Sequence, residues 1–229
     1  MALDAPASSD VLMNIAFPIV FTAKVAVISL ALHVLFGLLL GYYLGKKSSP
    51  MRSVVDTLVT LPLVFPPVAL GFLLLLLLGK TGLIGRFVTG VCGLEIIFNF
   101  WGVVIAAFIA GLPLIVKPVQ AAVQSTAKSL IEASYTLGKS EATTFLFVVI
   151  PSIKKSIAGG LSLAFGRSLG EVGLTLMLGG NIVGRTNTLS LEIYNSVFTG
   201  EFERAGFLAA VLGSVSLLIL LLLRRVSVI

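Results

Sequence analysis

Few residues in this chain have the chemistry of a catalyst. His33 is its one histidine and Cys92 its one cysteine, and a single Glu171 stands deep in an apolar run, four residues after Arg167. That set contains no catalytic triad, no cluster of metal ligands and no pair of thiols for a disulfide or redox couple. His33 sits in an apolar stretch and reads as packing. Arg167 and Glu171 are spaced to meet on one helical face, and each charge at a membrane centre would cost about 2.5 to 3.5 kcal/mol. They must face an interior and neutralise each other. A structural ion pair is the first reading, a pair lining a gate the second, and direct ligation of substrate by Arg167 the third. No GxxxxGK[ST] loop occurs, so any ATP hydrolysis has to come from another chain.

A different spacing marks a polar segment at about 120–156. Glu132, Ala133 and Ser134 precede Gly138, good helix formers flank that glycine, and Pro151 stands where the chain returns to apolar sequence. The pattern predicts a short helix, a bend and a second helix. It is too long for a minimal connection and too polar for a span, which predicts contact with something outside the membrane.

The elements that position these residues follow from composition. Of 229 residues 57% are hydrophobic and only 11% charged, the mean hydropathy is +1.10, and a soluble domain carries about a quarter charged residues. Apolar runs long enough to cross about 30 Å of hydrocarbon recur along the chain. We read an all-α bundle of about five spans, near 17–44, 54–79, 96–119, 157–182 and 205–223, forming a single transmembrane domain over 1–229. The segment 1–10 lacks the basic start and short apolar core of a cleaved leader, so the first run is read as a retained span. Ten of the sixteen basic residues, Lys46, Lys47 and Arg52, then Lys117, Lys128, Lys139, Lys154 and Lys155, then Arg224 and Arg225, follow spans one, three and five. By the positive-inside rule the N-terminus is outside and the C-terminus and the 120–156 loop are cytoplasmic. The net charge of +6 reflects this topology; it forms no basic stripe with interleaved aromatics of the kind that binds nucleic acid.

Two spans carry special features. Prolines 62, 66 and 67 interrupt the second, and freed carbonyls in lipid need protein or a water-lined cavity, so a broken helix in the interior and a plain kink are both open. Ala158, Ser162, Gly166 and Gly170 recur every four residues in the fourth, a small-residue stripe that fits packing within the chain first and contact with a second copy next.

The run Glu132-Ala133-Ser134-Tyr135-Thr136-Leu137-Gly138, followed after nine residues by Val148-Val149-Ile150-Pro151, resembles the EAA motif of ABC importer permeases. Glu132, Ala133, Gly138 and Pro151 match; Val148 and Ile150 are conservative stand-ins, and Ser134 departs from the pattern. Leu61-Pro62-Leu63-Val64-Phe65-Pro66-Pro67-Val68, Gly79-Lys80-Thr81-Gly82-Leu83-Ile84-Gly85 and Phe165-Gly166-Arg167-Ser168-Leu169-Gly170-Glu171-Val172-Gly173 are similar to segments of molybdate permeases. Gly179-Gly180-Asn181-Ile182 and Gly200-Glu201-Phe202-Glu203 are closer to tungstate permeases.

The resemblance implies an inner-membrane permease subunit that moves a tetrahedral oxyanion, molybdate or tungstate, by alternating access. It implies a second copy of the chain, a pair of cytoplasmic ATP-binding subunits docked on a coupling helix, an extracytoplasmic binding protein, and no cofactor. Gly138 would permit the bend in that helix, and Glu132 would fix it by capping or by pairing with a basic group. Arg167, Ser168, Glu171, Thr175 and Asn181 are the candidates for the pathway or gate. Sulfate or another small solute is the alternative cargo. A channel, a secondary transporter or a membrane-embedded enzyme would each leave the 120–156 spacing unexplained.

Overall fold

The computed structural model describes residues 8–46 and 49–228. The start of the N-terminal stretch and Lys47 of the first basic group lie outside the described residues. All elements among those described are helical. In chain order they are α1 (Ser8–Leu32), a π-helical turn (His33–Gly37), α2 (Leu38–Gly45), α3 (Pro50–Val64), α4 (Pro67–Leu78), α5 (Leu83–Cys92), α6 (Phe100–Ser125), α7 (Lys128–Thr136), α8 (Glu141–Thr144), a second π turn (Phe145–Val149), α9 (Ile150–Ser152), α10 (Lys154–Leu169), α11 (Gly173–Gly179), α12 (Leu189–Phe198) and α13 (Phe202–Val228).

Three stretches are long and apolar enough to cross a membrane unaided: Ile15–Gly45, Phe100–Ser125 and Phe202–Leu222. Two bent pairs bring the number to as many as five: Pro67–Leu78 with Leu83–Val91, bent by 45°, and Glu141–Ser152 with Lys154–Leu169, bent by 77°. The stretch read as a second span, 54–79, is two helices. Pro62 is carried inside α3, and the break falls at Phe65 and Pro66, whose backbones are extended, because Pro66 and Pro67 both lack a backbone donor. The stretch read as a fourth span, 157–182, is also two helices, separated at Gly170–Val172. The third begins at Phe100, where the Asn99 side chain accepts from the Trp101 N–H at 2.9 Å, and it runs to Ser125, beyond the expected 119.

α6 is the central helix. Its face of Val103, Val104, Ala106, Ala107, Ala110, Ile115, Val116, Val119 and Val123 is almost wholly buried, and α1, α2, α3, α10 and α11 all pack on it. The first span approaches it closely through Gly37, Gly41 and Gly45. A Cβ added at these three positions would lie 2.5 Å from side-chain atoms of Ile115, Val119 and Val123 respectively. This small-xxx-small stripe was not read from the sequence, and it does what such stripes do in lipid: it lets two backbones come together where van der Waals contact replaces the hydrophobic effect. The stripe that was read, in α10, is divided. Ala158 and Ser162 are buried, while Gly166 and Gly170 are exposed, and the close contact with α6 is made instead by Gly160, where a Cβ would lie 2.8 Å from Ile115.

Candidate functional site: the coupling segment and the broken span

The 128–153 segment caps one end of the bundle. α7 ends in a Schellman turn, in which the Lys139 N–H reaches the Ser134 carbonyl at 3.1 Å and the Gly138 N–H reaches that of Tyr135 at 3.0 Å. Gly138 has φ +74°, a left-handed conformation that a Cβ disfavours. It supplies the bend; nothing lies within 4 Å of where its Cβ would be, so close approach of another backbone is not what demands glycine within this chain. Ser140 then caps α8 by accepting from the Thr143 N–H at 3.2 Å.

Ser134, the residue that departs from the motif, joins the two helices. Its buried hydroxyl meets that of Thr144 at 2.8 Å. Glu132 and Ala133 face solvent, as does Pro151 at the start of α9. Further contacts tie this segment to the first span. The Tyr42 and Tyr135 hydroxyls lie 3.3 Å apart, Tyr42 packs on Phe145 at 4.8 Å between ring centres, and Lys46 pairs with Glu141 while lying over the Tyr42 ring. These partners are more than 90 positions apart in sequence, and no local signal announces them. Glu132 shares with Lys46, Gln124, Lys128, Ile131 and Tyr135 a cleft of about 800 Å³.

The second group lies at the break between α10 and α11. Arg167 in the last turn of α10 pairs with Glu171, and the other carboxylate oxygen of Glu171 accepts from the Leu174 N–H at 2.7 Å. One buried carboxylate thus balances the charge before the break and satisfies a free donor of the helix after it. The two partners are unequally placed: the Glu171 side chain is 1% exposed and that of Arg167 35%. Ser168 Oγ lies 2.7 Å from the Ala107 carbonyl of α6 and 2.8 Å from the Ala164 carbonyl of α10, so its single proton has one acceptor on each helix. Thr175 is buried beside it. With Thr22, Ser29 and Thr188, three of these residues (Ser168, Glu171 and Thr175) line a cavity of about 10 Å³, room for about one water molecule and for nothing larger. Asn181 is elsewhere. It follows α11 with φ +49° and exchanges amide hydrogen bonds with Asn195 of α12, at 2.7 and 3.3 Å.

His33 is fully buried as read, with Nε2 2.9 Å from the Phe108 carbonyl. The described residues thus hold three to five stretches long and apolar enough to cross a membrane, a polar segment at one end and a broken helix with a buried ion pair. A family model for the binding-protein-dependent transport system inner membrane component matches residues 37–227. The chain belongs to this family. Among relatives of this inner membrane component, the probable transport system permease protein NifC of Clostridium pasteurianum is 38% identical over 178 residues. Those are 78% of this chain and 62% of that protein, so the match spans less than two thirds of NifC. The molybdenum transport system permease protein ModB of Azotobacter vinelandii is 33% identical over 200 residues, 87% of this chain and 88% of that protein. The probable sulfate transport system permease protein of Prototheca wickerhamii is 30% identical, over 89% of this chain and 79% of its own length.

Proposed function

We propose that this inner membrane component is the permease subunit of an ATP-driven importer of molybdate. The observation that carries the reading is similarity along nearly the whole of both chains to a permease named for molybdenum transport. Sulfate is the second reading, favoured by the sulfate permease relative at 30% identity, and tungstate belongs to the same class of tetrahedral dianions.

The whole chain, 1–229, acts as one transmembrane domain. α7 to α9 lie on the cytoplasmic side and form the coupling helix, with Glu132 and Ala133 facing an ATP-binding subunit while Ser134, Gly138 and Pro151 hold the shape. The concentration of lysines near that end supports this orientation, with the N-terminus outside. The partners are a pair of ATP-binding subunits, a second copy of this chain and an extracytoplasmic binding protein. ATP is hydrolysed on the partner, and the permease itself needs no cofactor.

The cavity of about 10 Å³ beside the break is too small for an oxyanion, so the path proposed here does not run through it. The anion's path runs along the open side of α10, where Gly159, Leu163, Gly166 and Gly170 are exposed beside Arg167. A partly exposed arginine at mid-span is costly against hydrocarbon, which argues for water or a second copy on that side. Arg167 is then the residue within reach of the anion. Ser168, Glu171 and Thr175 build the wall behind it, and Asn181 holds the outer end of the wall.

Co-expression with the ATP-binding subunit tests the coupling assignment. Gly138→Val and Glu132→Lys are expected to insert normally and to lose at least about tenfold of anion-stimulated ATP hydrolysis, the equivalent of about 1.4 kcal/mol of coupling. Unchanged stimulation in both variants would remove α7 from the interface.

A further inference from the structure

Four helices of the bundle are irregular at one depth. The first span passes through its π turn at His33–Gly37, α3 gives way to α4 at Phe65 and Pro66, α6 carries Pro113 in its interior, and α10 gives way to α11 at Gly170–Val172. Contacts place these sites side by side. His33 Nε2 touches the Phe108 carbonyl of α6, and a Cβ on Gly111 would lie 2.6 Å from His33 Nε2 and 2.7 Å from Ser168 Oγ. A Cβ on Gly173, the first residue of α11, would lie 2.9 Å from Pro67 Cβ, the first residue of α4.

The apolar core divides at the same depth. On the side of the coupling segment it is built from Tyr42, Leu44, Val59, Ile115, Val116, Val119, Val123, Val149 and Ala164. On the other side one cluster joins Phe21 and Val25 to Val103 and Val104, and another joins Leu70 of α4 and Leu174 and Leu178 of α11 to Ala106 and Ala110 of α6. Between them lie the buried polar side chains of Ser29, His33, Ser168, Glu171 and Thr175, flanked by a small apolar cluster of Ala26, Phe165 and Leu169. Interdigitated apolar side chains resist sliding. A layer of hydroxyls with exchangeable partners, crossed by helices whose ladders are already interrupted, resists bending far less.

We propose that this layer is a hinge inside the subunit: α4 and α11, with residues 100–110 of α6, turn as one body against the half that contains α2, α3 and α10. α4 and α11 are fit to move together, since a Cβ on Gly71 would lie 2.8 Å from Met177 Cβ and 3.3 Å from Leu174 Cα, a contact too close to slide. The axis passes through Glu171, which holds Arg167 on one side of the break and the Leu174 N–H on the other. α13 crosses the depth of the layer unbroken and packs most extensively on α10, so it stays with the static half. The trigger, closure of ATP-binding subunits on α7 to α9, rests on the importer reading; the identity of the anion does not enter.

Spin labels at three exposed positions of a Cys92→Ser chain test this in the assembled transporter, with labelled copies diluted by unlabelled ones. Leu39 and Leu58 lie in the half nearer the coupling segment, and Leu76 lies about nine residues beyond the break in α4, about 14 Å at 1.5 Å per residue. Each 10° of rotation therefore moves Leu76 by about 2 Å. Between the nucleotide-free and ATP-trapped states, the Leu39–Leu58 distance is expected to stay constant while the Leu39–Leu76 and Leu58–Leu76 distances both shift. Constant distances to Leu76 in a complex that hydrolyses ATP, or an equal shift in the Leu39–Leu58 pair, would overturn the hinge and leave the importer reading standing.

Discussion

Replacing Arg167 by Gln leaves the Glu171 carboxylate buried at 1% exposure with only the Leu174 N–H to hold it. Breaking a buried pair from that side costs about 3 to 5 kcal/mol. Replacing Glu171 by Gln is milder, because the amide oxygen still accepts from Leu174 and the partly exposed guanidinium can turn toward the open side of α10. The loss there is about 1.5 to 3 kcal/mol, one charge-assisted hydrogen bond. Thermal unfolding in detergent should rank the variants with Arg167→Gln least stable and the double variant above it. If Glu171→Gln proves the least stable, the carboxylate is not the buried anchor. A second pair can be tested in the same way. Ser134→Ala strands the fully buried Thr144 hydroxyl, at about 1 to 3 kcal/mol, whereas Ser134→Ala with Thr144→Val removes both partners and is expected to be close to neutral.

Among the elements, the first span depends on glycine more than on any polar contact. Gly37→Ala drives a Cβ to 2.5 Å from Ile115 and should cost about 1 to 3 kcal/mol by overpacking; adding Ile115→Ala should recover part of it, which unfolding of both variants in detergent checks. Much of this architecture was legible in the sequence. Apolar length found the three helical stretches long enough to cross a membrane, and the proline cluster, open between a break and a kink, falls at the break between α3 and α4. The Glu132 to Pro151 spacing gave the helix, bend and helix of α7 to α9. The break between α10 and α11 was hidden, since no proline marks it and it is held by a carboxylate whose charge drew attention to pairing instead of capping. The small-residue stripe in α10 was legible as a pattern but not as a direction, because spacing alone does not say which face meets α6. Tyr42 and Lys46 were missed because their partners lie more than 90 positions away, and Thr144 because, taken singly, it is an ordinary residue.

At the scale of the molecule, the described residues offer a polar segment over one end of the bundle, a broken span with a partly exposed arginine, and beside that break a cavity with room for about one water. In the function proposed above, such a subunit works in an assembly, with energy supplied at the cap and the solute moving along the open side of α10. The measurement closest to the central claim is uptake of labelled molybdate, tungstate and sulfate into proteoliposomes that hold the complete transporter with its binding protein, with and without ATP at the cytoplasmic face. The expected result is accumulation of molybdate that requires ATP and exceeds that of sulfate. Accumulation without ATP, or ATP hydrolysis stimulated by the binding protein with no uptake of any of the three dianions, would contradict it.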